Sequence, residues 1–206
     1  MDERQIEAVT RLFNLAIMKK FYTVIYDEDP KRKQMVVEDY DTGSFNMTTF
    51  WHGVTYNSFI PSDVRLYLNS KKPVAPDYLA NPISWPICSE RLVNIFQERA
   101  SKYIQTFDAP LFDYQTKKPL TGYQVVNITR LISCLDFSKS NISFSDDGKE
   151  IVSVIDPVYV ESKLPQDAHI FRVVEDLYSV VISSEMANDF VRERVTGIAL
   201  IECKAV

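Results

Sequence analysis

Apolar residues recur at helical spacing near the start of the chain. Ile6, Val9, Leu12, Phe13 and Ala16 share one face, with Asp2, Glu3, Arg4, Glu7 and Arg11 on the other, a pattern that predicts an amphipathic helix over 3–17. The period then changes. Phe21-Tyr22-Thr23-Val24-Ile25-Tyr26 is rich in β-branched and aromatic residues and stops at Asp27-Glu28-Asp29-Pro30, which reads as a strand closed by a turn. Residues 31–82 keep no period: Tyr40, Phe45, Phe50, Trp51, Tyr56 and Phe59 are scattered among prolines at 61, 73, 76 and 82, and short strands and loops are expected. Ser89 then stands at an N-cap position with Glu90 in the first turn, and Leu92, Ile95, Phe96 and Ala100 form a stripe. A helix over 90–102 follows.

Further along, Tyr123 to Ile128 reads as a strand, and Leu131, Ile132 and Leu135 suggest a short helix ending before Asp136. Asp146-Asp147-Gly148 suits a hairpin turn. Strands are expected over 151–155, 169–174 and 179–182, then a helix from Ser183 or Ser184 to about Arg194, closed by Thr196-Gly197 before a last strand, 198–201. Together these elements predict an α+β fold, a mixed or mainly antiparallel sheet with helices packed on it. One internal echo stands out. Ile87-Cys88-Ser89-Glu90 through Glu98-Arg99 aligns without gaps on Ile182-Ser183-Ser184-Glu185 through Glu193-Arg194. Duplication and chance both account for it, because capped helices use a small vocabulary.

At 206 residues the chain is long enough to bury a core without disulfide or metal staples. Its formal net charge of -5 and pI near 5.1 repel phosphate backbones, so nucleic acid is not an expected partner. Cys88, Cys134 and Cys203 are odd in number and sit among apolar neighbours, as buried free thiols of a reducing compartment do. No apolar run approaches the ~18 residues that span a bilayer, and the start, MDERQIEAVTR, lacks a basic secretory region. A cytoplasmic protein with no membrane partner is the expectation.

Catalytic constellations are hard to find. His52 and His169 stand in no His-x-x-x-His or His-Glu-x-x-His spacing, and no Cys-x-x-Cys occurs, so neither metal nor cofactor is expected. The five glycines, at 43, 53, 122, 148 and 197, form no phosphate-cradling loop. The acidic groups Asp27-Glu28-Asp29, Glu38-Asp39-Asp41 and Asp146-Asp147 lack the spacing of a Ca²⁺ loop and read as solvated turns. What the chain does offer is aromatic density beside acids. Phe50, Trp51 and Tyr56, flanked by Asp39 and Asp41, suit a protein-binding surface, because rings supply contact area at little entropic cost; core packing is the competing reading of each ring. The acidic turns Asp27, Glu28, Asp29 and Asp146, Asp147 join them as candidate partner contacts.

Several ordered motifs resemble those of the eleventh immunity-protein family of bacterial polymorphic-toxin systems: Lys19-Lys20-Phe21-Tyr22-Thr23-Val24 with its acidic turn, Pro86-Ile87-Cys88-Ser89-Glu90-Arg91-Leu92, and Asn127-Ile128 with Leu135-Asp136-Phe137-Ser138-Lys139-Ser140. His169-Ile170-Phe171-Arg172 and Ile182-Ser183-Ser184-Glu185 through Thr196-Gly197-Ile198 complete the set. The resemblance covers about 18–202. Cys88 departs from the small β-branched residue common there. It also divides the chain into an N-terminal extension, 1–17, and an immunity domain, 18–206, with Met18 as an alternative start. It implies a non-enzymatic immunity protein that blocks a cognate toxin by occluding it, and it supplies no contact residues to carry over. Two other readings remain open: a hydrolase using Cys88, Cys134 or His169 with a carboxylate to reverse a toxin's modification, and a structural component of a secretion system.

Overall fold

Two serines launch the two α-helices found among the described residues. The Ser89 hydroxyl accepts the Leu92 N–H and the Ser183 hydroxyl accepts the Met186 N–H, each at 3.3 Å, so each helix has one of its orphan first-turn donors satisfied. The computed structural model describes residues 19–206 apart from Glu28 and Pro73; the helix expected over 3–17 lies outside them.

The strands, in chain order, are β1 (Phe21–Tyr26), β2 (Val37–Asp41), β3 (Arg65–Leu68), β4 (Tyr78–Leu79), β5 (Ile87–Ser89), β6 (Ile104–Asp108), β7 (Leu111–Asp113), β8 (Pro119–Leu120) and β9 (Tyr123–Ile128). They continue as β10 (Leu131–Ile132), β11 (Asn141–Phe144), β12 (Ile151–Ile155), β13 (Val158–Tyr159), β14 (Ile170–Val173), β15 (Asp176–Ser183), β16 (Ile198–Glu202) and β17 (Lys204–Ala205). The helices are α1 (Glu90–Ala100) and α2 (Ser184–Arg192). Three larger sheets run β10-β14-β15-β1-β16, β4-β5-β9-β6 and β2-β3-β7-β8, with two-stranded pairs β11-β12 and β13-β17. Most pairings are antiparallel, while β3–β7, β10–β14 and β13–β17 are parallel. Across the described residues the fold is therefore mostly sheet, mixed and antiparallel, with two short helices.

The first two sheets share one blueprint. In one, β5 leads through α1 to β6 with β9 between them; in the other, β15 leads through α2 to β16 with β1 between them. The registers agree residue by residue: Ser89 faces Tyr123 as Ser183 faces Phe21, and Ile104 faces Ile128 as Ile198 faces Tyr26. Even the support of the caps is repeated. Asp77 accepts the Ser89 amide on its carbonyl and the Ser89 hydroxyl on its carboxylate (2.7 and 2.8 Å), while His169 accepts the Ser183 amide and joins its Nδ1 to the Ser183 hydroxyl (both 3.0 Å). The true correspondence thus pairs Ser89 with Ser183, Leu92 with Met186 and Phe96 with Phe190, one residue away from the gapless alignment of the sequence. Cap geometry and the buried stripe set this phase, whereas letter identity had favoured Ser184. The two helices pack on each other through Phe96 and Phe190 (ring centroids 5.7 Å) and the buried Asp189, which takes two hydrogen bonds from Arg99.

Two local expectations need correcting. The short helix over 131–135 is absent: Leu131 and Ile132 pair in parallel with Arg172 and Val173, since so short a segment gains little by nucleating a helix when a sheet edge is at hand. The helices end earlier than expected, at Ala100 and Arg192; a 3-10 turn, Ser101–Tyr103, follows the first. The irregular stretch after β1 wraps its own core, where Phe45, Phe50, Leu66, Leu79 and Trp85 are all buried.

Candidate functional site

Phe50 ends a 3-10 turn, Met47–Phe50, whose Asn46 cap accepts the Thr48 N–H. The turn points Phe50 inward against Trp85 (4.9 Å) and Phe107 (5.4 Å), with none of its surface exposed. It is a packing residue, which corrects its place among the contact candidates. The next residue turns outward. Trp51 is half-buried; its Nε1 donates to the Ile83 carbonyl at 2.9 Å, and its ring meets Tyr178 edge-on at 4.7 Å. Gly53 lets the chain leave this turn close to β9 and β10. It sits at φ +58°, and a Cβ there would lie 3.1 Å from both the Ile128 carbonyl and the Leu131 side chain, a space and a backbone region that suit glycine.

Trp51 closes one end of a groove of about 760 Å³. One wall is the run Lys149 to Val154, the other is Val174 to Tyr178, and Thr48 and His52 complete the lining. Exposed apolar surface concentrates here: Val152, Val174 and Tyr178 are 63%, 45% and 56% exposed. Glu150, Glu175 and Asp176 add acid, and none of the three forms an ion pair among the described residues, whereas Lys149 is paired with Asp147 at 3.2 Å.

Tyr178 reaches the groove because β15 bulges. Arg172 faces Val180 and Val173 faces Asp176, so Leu177, Tyr178 and Ser179 loop out of the ladder. Fully buried Arg172 holds that bulge, donating Nη1 to the Leu177 carbonyl at 2.6 Å and, more weakly, to that of Tyr178 at 3.5 Å. Burial pushes its guanidinium down to about 10, which leaves it charged at neutral pH.

The remaining candidates fall into separate places. Asp146 and Asp147 are exposed at the turn between β11 and β12, where Asp147 takes hydrogen bonds from the Ser145 hydroxyl and the Lys149 amide that hold its carboxyl below the usual range. That hairpin forms the groove wall, so Trp51 and this acidic turn belong to one region. Tyr56 is half-buried, edge-on to Phe45 at 5.4 Å, with its amide on Gln105. Asp39 and Asp41 are exposed on β2 opposite Tyr67 and Arg65, and Asp27 and Asp29 bind Arg32 after β1. None of these lines the groove. Glu28 lies outside the described residues.

Cys88 and Cys134 lie in different core clusters, each with a carboxylate nearby, Asp77 and Glu175. Burial pushes the Cys88 thiol well up and that of Cys134 to about 12, so both are protonated at neutral pH and poor nucleophiles. His169 faces Ser183, but that hydroxyl is buried and occupied in capping α2. No group of three or more His, Cys, Asp or Glu suited to hold a metal occurs among the described residues.

Tyr178, Val174, Arg172 and the wall 149–154 were missed by sequence reasoning; the only available signal was the Asp-Gly hairpin turn beside them. Compared with known proteins, residues 23–205 match the model of a family described as an immunity protein family (Imm11). No curated protein matches the chain.

Proposed function

Because the chain belongs to the Imm11 immunity protein family, we propose that it neutralises a cognate toxin by binding the toxin domain one-to-one and covering its active surface, with the groove beside Trp51 as the contact. The carrying observation is that groove: aromatic and aliphatic side chains exposed between the β11–β12 hairpin and β15, ringed by carboxylates without ion-pair partners among the described residues. Apolar anchors in a depression supply affinity, and the acidic rim favours a basic partner and speeds encounter. A stable complex of this kind covers roughly 800 Å² on each partner, so contact would extend beyond the groove to the hairpin turn at Asp146 and Asp147. Action in the cytoplasm fits the thiol chemistry, and no helix among the described residues is long and apolar enough to cross a membrane.

The chain's two tryptophans provide the test. Trp85 is fully buried and Trp51 is half-buried at the groove, so acrylamide should quench mainly Trp51. Adding the toxin domain encoded beside the protein should reduce that quenching, while a Trp51→Phe variant should show no change. A complex that forms with quenching unaltered would move the contact away from this groove.

A further inference from the structure

Six consecutive residues, Lys149 to Val154, line the groove. The face of a strand presents only every second side chain, so the four of these that belong to β12, Ile151 to Val154, place its edge along the groove, with Lys149 and Glu150 leading into it from the hairpin turn. β12 hydrogen-bonds to β11 alone among the described strands, with Ile142 facing Val154 and Ser143 facing Ser153, and it lies against β15 across the groove. Its other edge therefore presents unpaired backbone N–H and C=O groups to the depression, a ready template for another strand. Proteins blunt such edges with proline, lysine or a bulge; Ile151-Val152-Ser153-Val154-Ile155 contains neither proline nor lysine. Its one irregularity is a slip in the ladder that leaves Val152 as the extra residue and its side chain on display.

We infer that the groove receives its partner as an added strand: an extended segment of the toxin hydrogen-bonds to the free edge of β12, seats apolar side chains against Trp51, Val174 and Tyr178, and brings basic side chains to Glu150, Glu175 and Asp176. This rests on the toxin-binding reading and specifies its mode. Lengths agree, since the five residues of β12 extend about 17 Å at ~3.3 Å each and accommodate a segment of similar length. Charge selects the occupant. Lys149 pairs with Asp147 at the exposed turn, and Lys or Arg spaced along the incoming strand would match Glu150, Glu175 and Asp176, the last two of which also accept hydrogen bonds from Ser133, Cys134 and Ser179. In this mode the backbone supplies affinity and alternate side chains supply specificity.

Hydrogen exchange read at single-residue resolution tests it, on the full chain alone and with an inactivated form of the toxin domain encoded beside it. Strand addition predicts that alternate amides between Glu150 and Ile155 slow by at least about tenfold on binding, as new backbone hydrogen bonds confer, with the amides between them unchanged. If titration shows a complex and those amides exchange as in the free chain, strand addition is wrong while toxin binding stands. If no complex forms, the underlying reading fails, and the titration itself separates that result from the first. If the chain alone is dimeric with these amides already protected, a second copy occupies the edge and the inference is overturned.

Discussion

Tyr178→Ala separates binding from stability better than any other change in the groove. The ring is 56% exposed and its described aromatic partner is Trp51, 4.7 Å away edge-on. An edge-to-face pair contributes ~0.5–1.5 kcal/mol, and complete burial of an aromatic ring is worth ~3–5 kcal/mol when truncated to alanine. With less than half of the side chain covered, the expected cost is about 1.5 kcal/mol, or a Tm lower by about 3–6 °C for a chain of this size. As an anchor at the centre of a contact, the same ring should be worth at least about 2 kcal/mol of affinity, roughly a thirtyfold weaker Kd. Thermal melts and calorimetric titration with the toxin domain read the two quantities on one preparation. A variant that melts as expected but binds within about threefold of the parent would exclude Tyr178 as an anchor of the contact. Trp51→Ala is less clean, because the indole also donates to the Ile83 carbonyl and packs on the core around Phe50, so stability and binding would fall together.

Phe50→Ala should lower stability by about 3–5 kcal/mol in urea unfolding, as for a fully buried ring, and a loss under 1 kcal/mol would put Phe50 back at the surface. Asp77 ties the two sheets together by binding Ser89, Arg91 and Thr196. Burial alone would push its carboxyl up, but hydrogen bonds from Arg91, Thr196 and Ser89 outweigh it and hold the group below the ordinary carboxylate value. Its folded pKa is therefore depressed, so its stabilisation is complete above the unfolded value near 4 and is lost as pH falls through the lower folded value; Asp77→Asn should flatten that acid limb of the unfolding curve. Burial, aided by Lys19, pushes the His169 imidazole down, so the folded state resists protonation and stability should fall as pH drops below about 6.5. His169→Gln should remove that slope, and an unchanged slope would show that another group carries it.

Legibility of the fold followed how local the signal was. The caps at Ser89 and Ser183, the strand before the acidic turn and the Asp-Gly hairpin are fixed by neighbours within a few residues, and all are present. The segment 131–135 was misread because three apolar residues in five do not distinguish a period of 3.6 from one of 2, and its parallel partner lies some forty residues away at Arg172 and Val173. The internal echo was visible, but its phase depended on which serine bonds the amide three residues on, a geometric fact. The groove was illegible for a different reason. It gathers Thr48, Trp51 and His52 with 149–154 and 174–178, and Tyr178 reaches it through a bulge held by a buried arginine, a residue whose type ordinarily signals solvent. Trp51 and the hairpin turn were both named from sequence; that they share one region is a property of the packing alone.

Neutralisation by stoichiometric binding is read out by titrating toxin activity. With the toxin domain held well above the dissociation constant, residual activity should fall linearly with added protein and reach zero at a molar ratio of one. Loss of activity at a small fraction of that ratio, deepening with time, would mean turnover and rule out one-to-one occlusion. Full activity in the presence of excess folded protein would rule it out as well.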